Sequence, residues 1–169
     1  MNVKERMTKQ MTPSHFTFTA REEAATERLG QALARLLPPG SVVALHGTLG
    51  AGKTRLVQAL ATACGVERRE VVSPTFVLVH EYQGDRSIYH IDAYRLRDED
   101  EFLALGADEY FVPPNLVLIE WAERVARCLP TERLEITIEV CPEDVRQFNV
   151  EGRGARYAEV VEKLRQEFA

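Results

Sequence analysis

The eight residues GTLGAGKT at 47–54 constrain this chain more than any other feature. They follow a short β-rich apolar run, SVVAL at 41–45, and precede a segment in which Leu56 and Leu60 recur one helical turn apart before Gly65. The unit reads strand, glycine loop, helix. Glycines let the backbone curl until successive N–H groups point inward, and the helix that follows adds the positive end of its dipole. Gly47, Thr48, Leu49, Gly50, Ala51, Gly52, Lys53 and Thr54 are thus expected to form an anion cradle of the P-loop kind. Lys53 would supply a point charge to the outer phosphates of a nucleotide, and the Thr54 hydroxyl would meet the magnesium that bridges them.

A chain of 169 residues, 45% of them apolar, is long enough for one domain with a real core. The expected class is α/β, a three-layer P-loop NTPase architecture with a mostly parallel central sheet flanked by helices. Residues 1–14 read as a loose polar leader and 15–169 as a single ATPase domain. Thr19 with Glu22 forms a capping-box pattern ahead of Ala25, Leu29, Leu33 and Leu36, which predicts a first helix ending at Pro38-Pro39-Gly40. Strands are expected at 71–80, 87–92, 116–119 and 135–140. Helices are expected at 53–63, at 98–105 and at 155–168.

A net charge of −5 argues against gripping nucleic acid by phosphate neutralisation. Three cysteines without a C-x-x-C pair suggest neither a disulfide framework nor a zinc site and fit a reducing compartment, so the expected location is cytoplasmic. No stretch approaches the ~18 apolar residues of a membrane span.

A nucleotide-hydrolysing site also needs a carboxylate at the end of a buried neighbouring strand. LVLI at 116–119 is continuously apolar, as a strand covered on both faces should be, and Glu120 follows it directly. Glu120 is the better candidate for this acid. In 87–92, Ile88, His90 and Asp92 fall on one face and Tyr89 with Ile91 on the other, which makes Asp92 the competing carboxylate. His90 and Asp92 without a third ligand do not make a transition-metal site. Trp121, beside the proposed acid, can serve both the core and the site.

GTLGAGKT, VSPTF at 72–76 with Glu81-Tyr82, HIDAYRL at 90–96 and LIEWAER at 118–124, in this order, resemble the bacterial TsaE family, small ATPases of the tRNA threonylcarbamoyladenosine pathway. The likeness runs from about Phe16 to about Val160 and takes in GRGAR at 152–156. It implies ATP and Mg2+ as cofactors, with Lys53 holding phosphate, Thr54 and Glu120 serving the metal, and Thr75 in a nucleotide-sensing loop. It further implies that Asp92 is needed for hydrolysis, that Trp121 supports the site, and that Thr26 and Arg153 lie near the nucleotide. The partners it implies are two subunits of TsaB and TsaD type, with tRNA touched only indirectly and no membrane involved. Thr48 and Phe76 depart from the residues the family often carries there, acidic and tyrosine respectively, and neither change removes a phosphate or metal contact.

Two other readings share the loop. A small-molecule kinase would need an acceptor site, with Arg124 and Arg127 as lid residues. A nucleotide-bound adaptor would keep Lys53 and dispense with Asp92 and Glu120. A switch GTPase is disfavoured because no asparagine-lysine-x-aspartate signature occurs.

Overall fold

The computed structural model describes residues 14–74 and 76–169. A seven-stranded sheet runs through it in the order β1-β7-β6-β2-β5-β4-β3. The strands are β1 (Ser14–Ala20), β2 (Ser41–His46), β3 (Val79–Gln83), β4 (Ser87–Asp92), β5 (Leu116–Glu120), β6 (Arg133–Val140) and β7 (Arg146–Arg153). The four central strands β6, β2, β5 and β4 are parallel, whereas β1, β7 and β3 join antiparallel at the two sides. The helices are α1 (Glu23–Leu36), α2 (Lys53–Ala63), α3 (Glu99–Ala104), α4 (Ala107–Tyr110) and α5 (Ala155–Glu167).

Alternation along the central strands builds a core on each face, as the P-loop architecture requires. Val43, Leu45, Leu118, Ile136 and Phe148 pack under α1, α2 and α5. Val42, Ala44, Ile91, Val117 and Ile119 pack under α3, α4 and the 3₁₀ segment Ala122–Cys128. Close approach of α1 and α2 depends on Gly30, where an added Cβ would lie 2.5 Å from the Ala59 Cβ. Tyr157 of α5 lies under the sheet and accepts the Val42 N–H at 2.9 Å.

Three local expectations are corrected. Thr19 lies in β1 opposite Gln147, and Glu22 caps α1 without a side-chain hydrogen bond, so no capping box forms. The ladder to β7 claims the backbone that the box would have used. The expected strand at 71–80 yields to β3, which starts only at Val79. Pro74 has no N–H for a ladder and disfavours continuation, and the chain instead turns, with Val77 and Leu78 donating to the Pro74 carbonyl. Strands β1 and β7 were not expected, although Phe16 with Phe18 and Phe148 with Val150 show the alternation of half-buried strands. The helix at 53–63 and the Asp98 cap of α3, which accepts the Glu101 N–H at 2.9 Å, match expectation.

Candidate nucleotide-binding groove

Three adjacent parallel strands end together at the site. Leu45 of β2 lies opposite Glu120 of β5, and Glu120 lies opposite Asp92 of β4. The glycine loop leaves the end of β2 and enters α2, so Leu49, Gly50, Gly52, the first turn of α2 and both carboxylates line one groove at the carboxyl edge of the sheet. Gly50 and Gly52 have φ of 77° and 112°, a left-handed region that only glycine adopts freely. Gly47, at φ 144°, also needs its missing side chain, because a Cβ there would approach the Ile138 carbonyl oxygen to 2.7 Å.

Lys53 is only 4% exposed. Its Nζ donates to the carbonyls of Gly47 at 2.6 Å and Thr48 at 3.0 Å, and lies 3.9 Å from the centroid of the Trp121 ring. Burial holds its pKa below the usual lysine value against the opposing pull of Glu120, Glu123 and Asp92. Trp121 reaches the lysine because its own backbone is left-handed (φ 57°), which turns the chain sharply after β5, and its ring packs on Tyr94 at 4.8 Å.

Glu120 is 3% exposed, and one of its oxygens, Oε1, accepts two hydrogen bonds. The Thr54 hydroxyl donates at 2.8 Å, and His90 Nε2 stands at 2.8 Å on the other side. Asp92 is also buried, and its Oδ1 accepts the Tyr94 N–H at 2.9 Å. Ser73, from the segment before β3, lines the same groove. The donor set fits a hard divalent cation such as magnesium, which takes oxygen ligands and keeps several waters. Thr54 and Glu120 could hold it, and the N–H groups of the glycine loop could take phosphate.

Across the loop lies a second recess bordered by Thr26, Gly50, Arg55, Asp144, Arg146 and Phe148. Thr26 is buried there on α1, and Arg146 fastens the loop by donating from Nε to the Ala51 carbonyl at 3.1 Å. Arg55 pairs with Glu23 at its rim.

The structure thus brings Leu49, Gly50, Gly52, Lys53, Thr54, Asp92, Glu120 and Trp121 to one groove and Thr26 with Ala51 to the adjoining recess, while Gly47 and Thr48 accept the Lys53 ammonium through their carbonyls. It does not bring Arg153 there. Because β7 runs antiparallel to β6, Arg153 pairs with Arg133 at the far end of the strand, and its guanidinium meets Glu135 and Glu151. Thr75 lies outside the described residues. Sequence reasoning missed Arg146 and the His90 contact to Glu120. Only the second had a visible signal, since His90 shares a strand face with Asp92.

A glycine loop between a central parallel strand and a helix, facing two strand-end carboxylates, defines a P-loop NTPase fold. The chain belongs to the TsaE family: the family described as "Threonylcarbamoyl adenosine biosynthesis protein TsaE" matches residues 20–148. The chain is 40% identical over 140 residues to the Bacillus subtilis tRNA threonylcarbamoyladenosine biosynthesis protein TsaE, covering 82% of this chain and 87% of that protein. It is 40% identical over 131 residues to the Treponema pallidum protein of the same name, covering 78% and 96%. The crystal structure of Bacillus subtilis YdiB superposes with a TM-score of 0.77 at 30% identity, covering 92% of this chain and 97% of that one. Among the described residues no helix is long and apolar enough to cross a membrane.

Proposed function

We propose that this chain binds ATP with magnesium in the groove, hydrolyses it, and thereby resets a complex of TsaB- and TsaD-type partners that modifies tRNA in the cytoplasm. The observation that carries the reading is the convergence of Lys53, Thr54, Asp92 and Glu120 at one loop, within a family named for threonylcarbamoyladenosine biosynthesis. Lys53 exchanges its contacts with the Gly47 and Thr48 carbonyls for phosphate oxygens. Thr54 and Glu120 hold the magnesium, which supplies charge neutralisation to the phosphates. Asp92, fixed through Oδ1 by the Tyr94 amide, orients the attacking water. Thr26 lines the recess that receives the rest of the nucleotide.

The kinase reading gains nothing from its two lid candidates. Arg124 donates to the Leu96 carbonyl at 2.8 Å and Arg127 reaches Glu99, both on the α3 side of the sheet. The test is reconstitution of threonylcarbamoyladenosine formation over many cycles, with phosphate release measured in parallel. Product should accumulate past one turnover only when this protein and ATP are present. Equal yields with and without the protein would reject the role in resetting, and absence of phosphate release with all partners present would reject hydrolysis.

A further inference from the structure

His90 is wholly inaccessible, yet it carries two ring nitrogens into the sheet beside the groove. Its place in the ladder explains how it is used. It stands opposite His80 of β3 and Leu118 of β5, so its ring lies diagonally between Tyr82 on the edge strand and Glu120 on the central one. Nε2 lies 2.8 Å from Glu120 Oε1, and with a carboxylate as acceptor this nitrogen is the donor. Nδ1 faces the Tyr82 hydroxyl at 3.4 Å. With Nε2 as donor, Nδ1 is an acceptor, so the single proton of that hydroxyl faces two acceptors, Nδ1 and the nearer Val72 carbonyl at 3.0 Å, in the segment that runs from the second helix toward β3 and contributes Ser73 to the groove. Tyr82 is buried as well, and its ring stacks on His80. A continuous chain of polar contacts therefore runs Val72, Tyr82, His90, Glu120, Thr54.

We propose that His90 is a positioning residue that holds Glu120 Oε1 toward Thr54 and, through Tyr82, ties that carboxylate to the placement of residues 71–74. The inference rests on the reading that Glu120 and Thr54 serve magnesium. A carboxylate with a free rotamer loses orientation entropy when it engages a cation, whereas one already clamped by a buried imidazole does not. Energetic coupling is reciprocal, so the segment that carries Val72 is ordered by whatever orders Glu120.

Isothermal titration calorimetry with ATP, in magnesium and in EDTA, tests this on the full chain. His90→Leu keeps the volume and removes the donor. His90→Gln restores an N–H near the Nε2 position. Tyr82→Phe removes the hydroxyl that joins His90 Nδ1 to Val72 and leaves the Nε2 contact to Glu120 in place. His90→Leu should weaken the magnesium-dependent gain in affinity by about 10-fold, the lower end for outer-shell partners of a metal ligand. ATP affinity in EDTA should stay unchanged. His90→Gln should recover most of the gain, and Tyr82→Phe should lose part of it. Equal weakening in magnesium and EDTA, or wild-type behaviour of His90→Leu, would overturn the positioning role. A wild-type gain in Tyr82→Phe would overturn the link to the segment. If His90→Leu does not fold, Tyr82→Phe and His90→Gln carry the test, because both keep the ring or the donor. A wild-type protein that gains nothing from magnesium would instead overturn the metal reading on which the inference stands.

Discussion

Thr54 and Glu120, 66 positions apart in sequence, meet through a 2.8 Å hydrogen bond from the threonine hydroxyl to the carboxylate. The contact joins the first turn of the helix after the glycine loop to the end of the neighbouring strand, and it places both oxygen donors at one point of the groove. Glu120→Gln keeps the shape and an acceptor but removes the charge that complements a cation. Turnover should fall at least about 100-fold, in the range for losing one charge-stabilising group. Phosphate release by the purified chain with its partners, measured against magnesium concentration, checks this. Thr54→Ala combined with Glu120→Gln should be little worse than either alone, because the two act as one unit.

Asp92→Asn retains the oxygen that accepts the Tyr94 amide and so should leave the β4 terminus intact. If Asp92 orients water, nucleotide affinity should stay within about 2-fold while turnover falls by about 100-fold or more, as for loss of a positioned acid–base group. Calorimetry paired with single-turnover phosphate release separates the two quantities. Parallel loss of both would assign Asp92 to binding.

His46, the last residue before the loop, pairs with Glu135 and contacts Glu123 at 3.1 Å. Burial lowers the His46 pKa, but the two glutamates outweigh it and the net shift is upward from 6.5. Burial raises Glu135, but His46, Arg133 and Arg153 outweigh it and the net shift is downward from 4.5. The histidine's contribution to stability is therefore complete below pH 6.5 and fades as pH rises through its folded pKa. The glutamate's is complete above pH 4.5 and fades as pH falls through its folded pKa. The loss of melting temperature caused by Glu135→Gln should be greatest between about pH 4.5 and 6.5 and shrink on either side. A pH-independent difference between wild type and variant would show that the pair does not titrate as described.

Gly30→Ala adds a methyl group where the backbone of α2 leaves no room. The new Cβ would sit 2.9 Å from the Ala59 carbonyl carbon and from the Leu60 nitrogen, atoms that cannot turn aside as a flexible side chain could. The helices must separate, at a stability cost of about 1–3 kcal/mol typical of overpacking. Denaturant unfolding measures it. Because α1 also carries Thr26, nucleotide affinity should fall with stability in this variant.

Much of the site is local in sequence, and that part was legible. The loop, its strand and its helix are contiguous at 41–63, and their chemistry follows from glycine φ angles and a helix dipole. Glu120 was legible because a run of apolar residues covered on both faces marks a buried strand, and the first polar residue after it marks the strand's end. What failed was local pattern without tertiary support. Thr19 and Glu22 have the spacing of a capping box, but pairing of β1 with β7 places Thr19 opposite Gln147, 128 positions away, and overrides it. Arg153 lies in a family-like segment, yet the antiparallel turn from β6 into β7 carries it to the opposite end of the sheet.

By itself the sequence determined the glycine loop between strand and helix, the two-faced central sheet and the identity of the two strand-end carboxylates, because each depends on residue type and short spacing alone. Only the tertiary structure decided which groups those carboxylates meet. Lys53 beneath Trp121, Thr54 against Glu120 and His90 between Glu120 and Tyr82 are contacts set by strand order and register. Register is fixed by burying apolar faces over the whole sheet, a sum over distant residues that no short window of sequence contains.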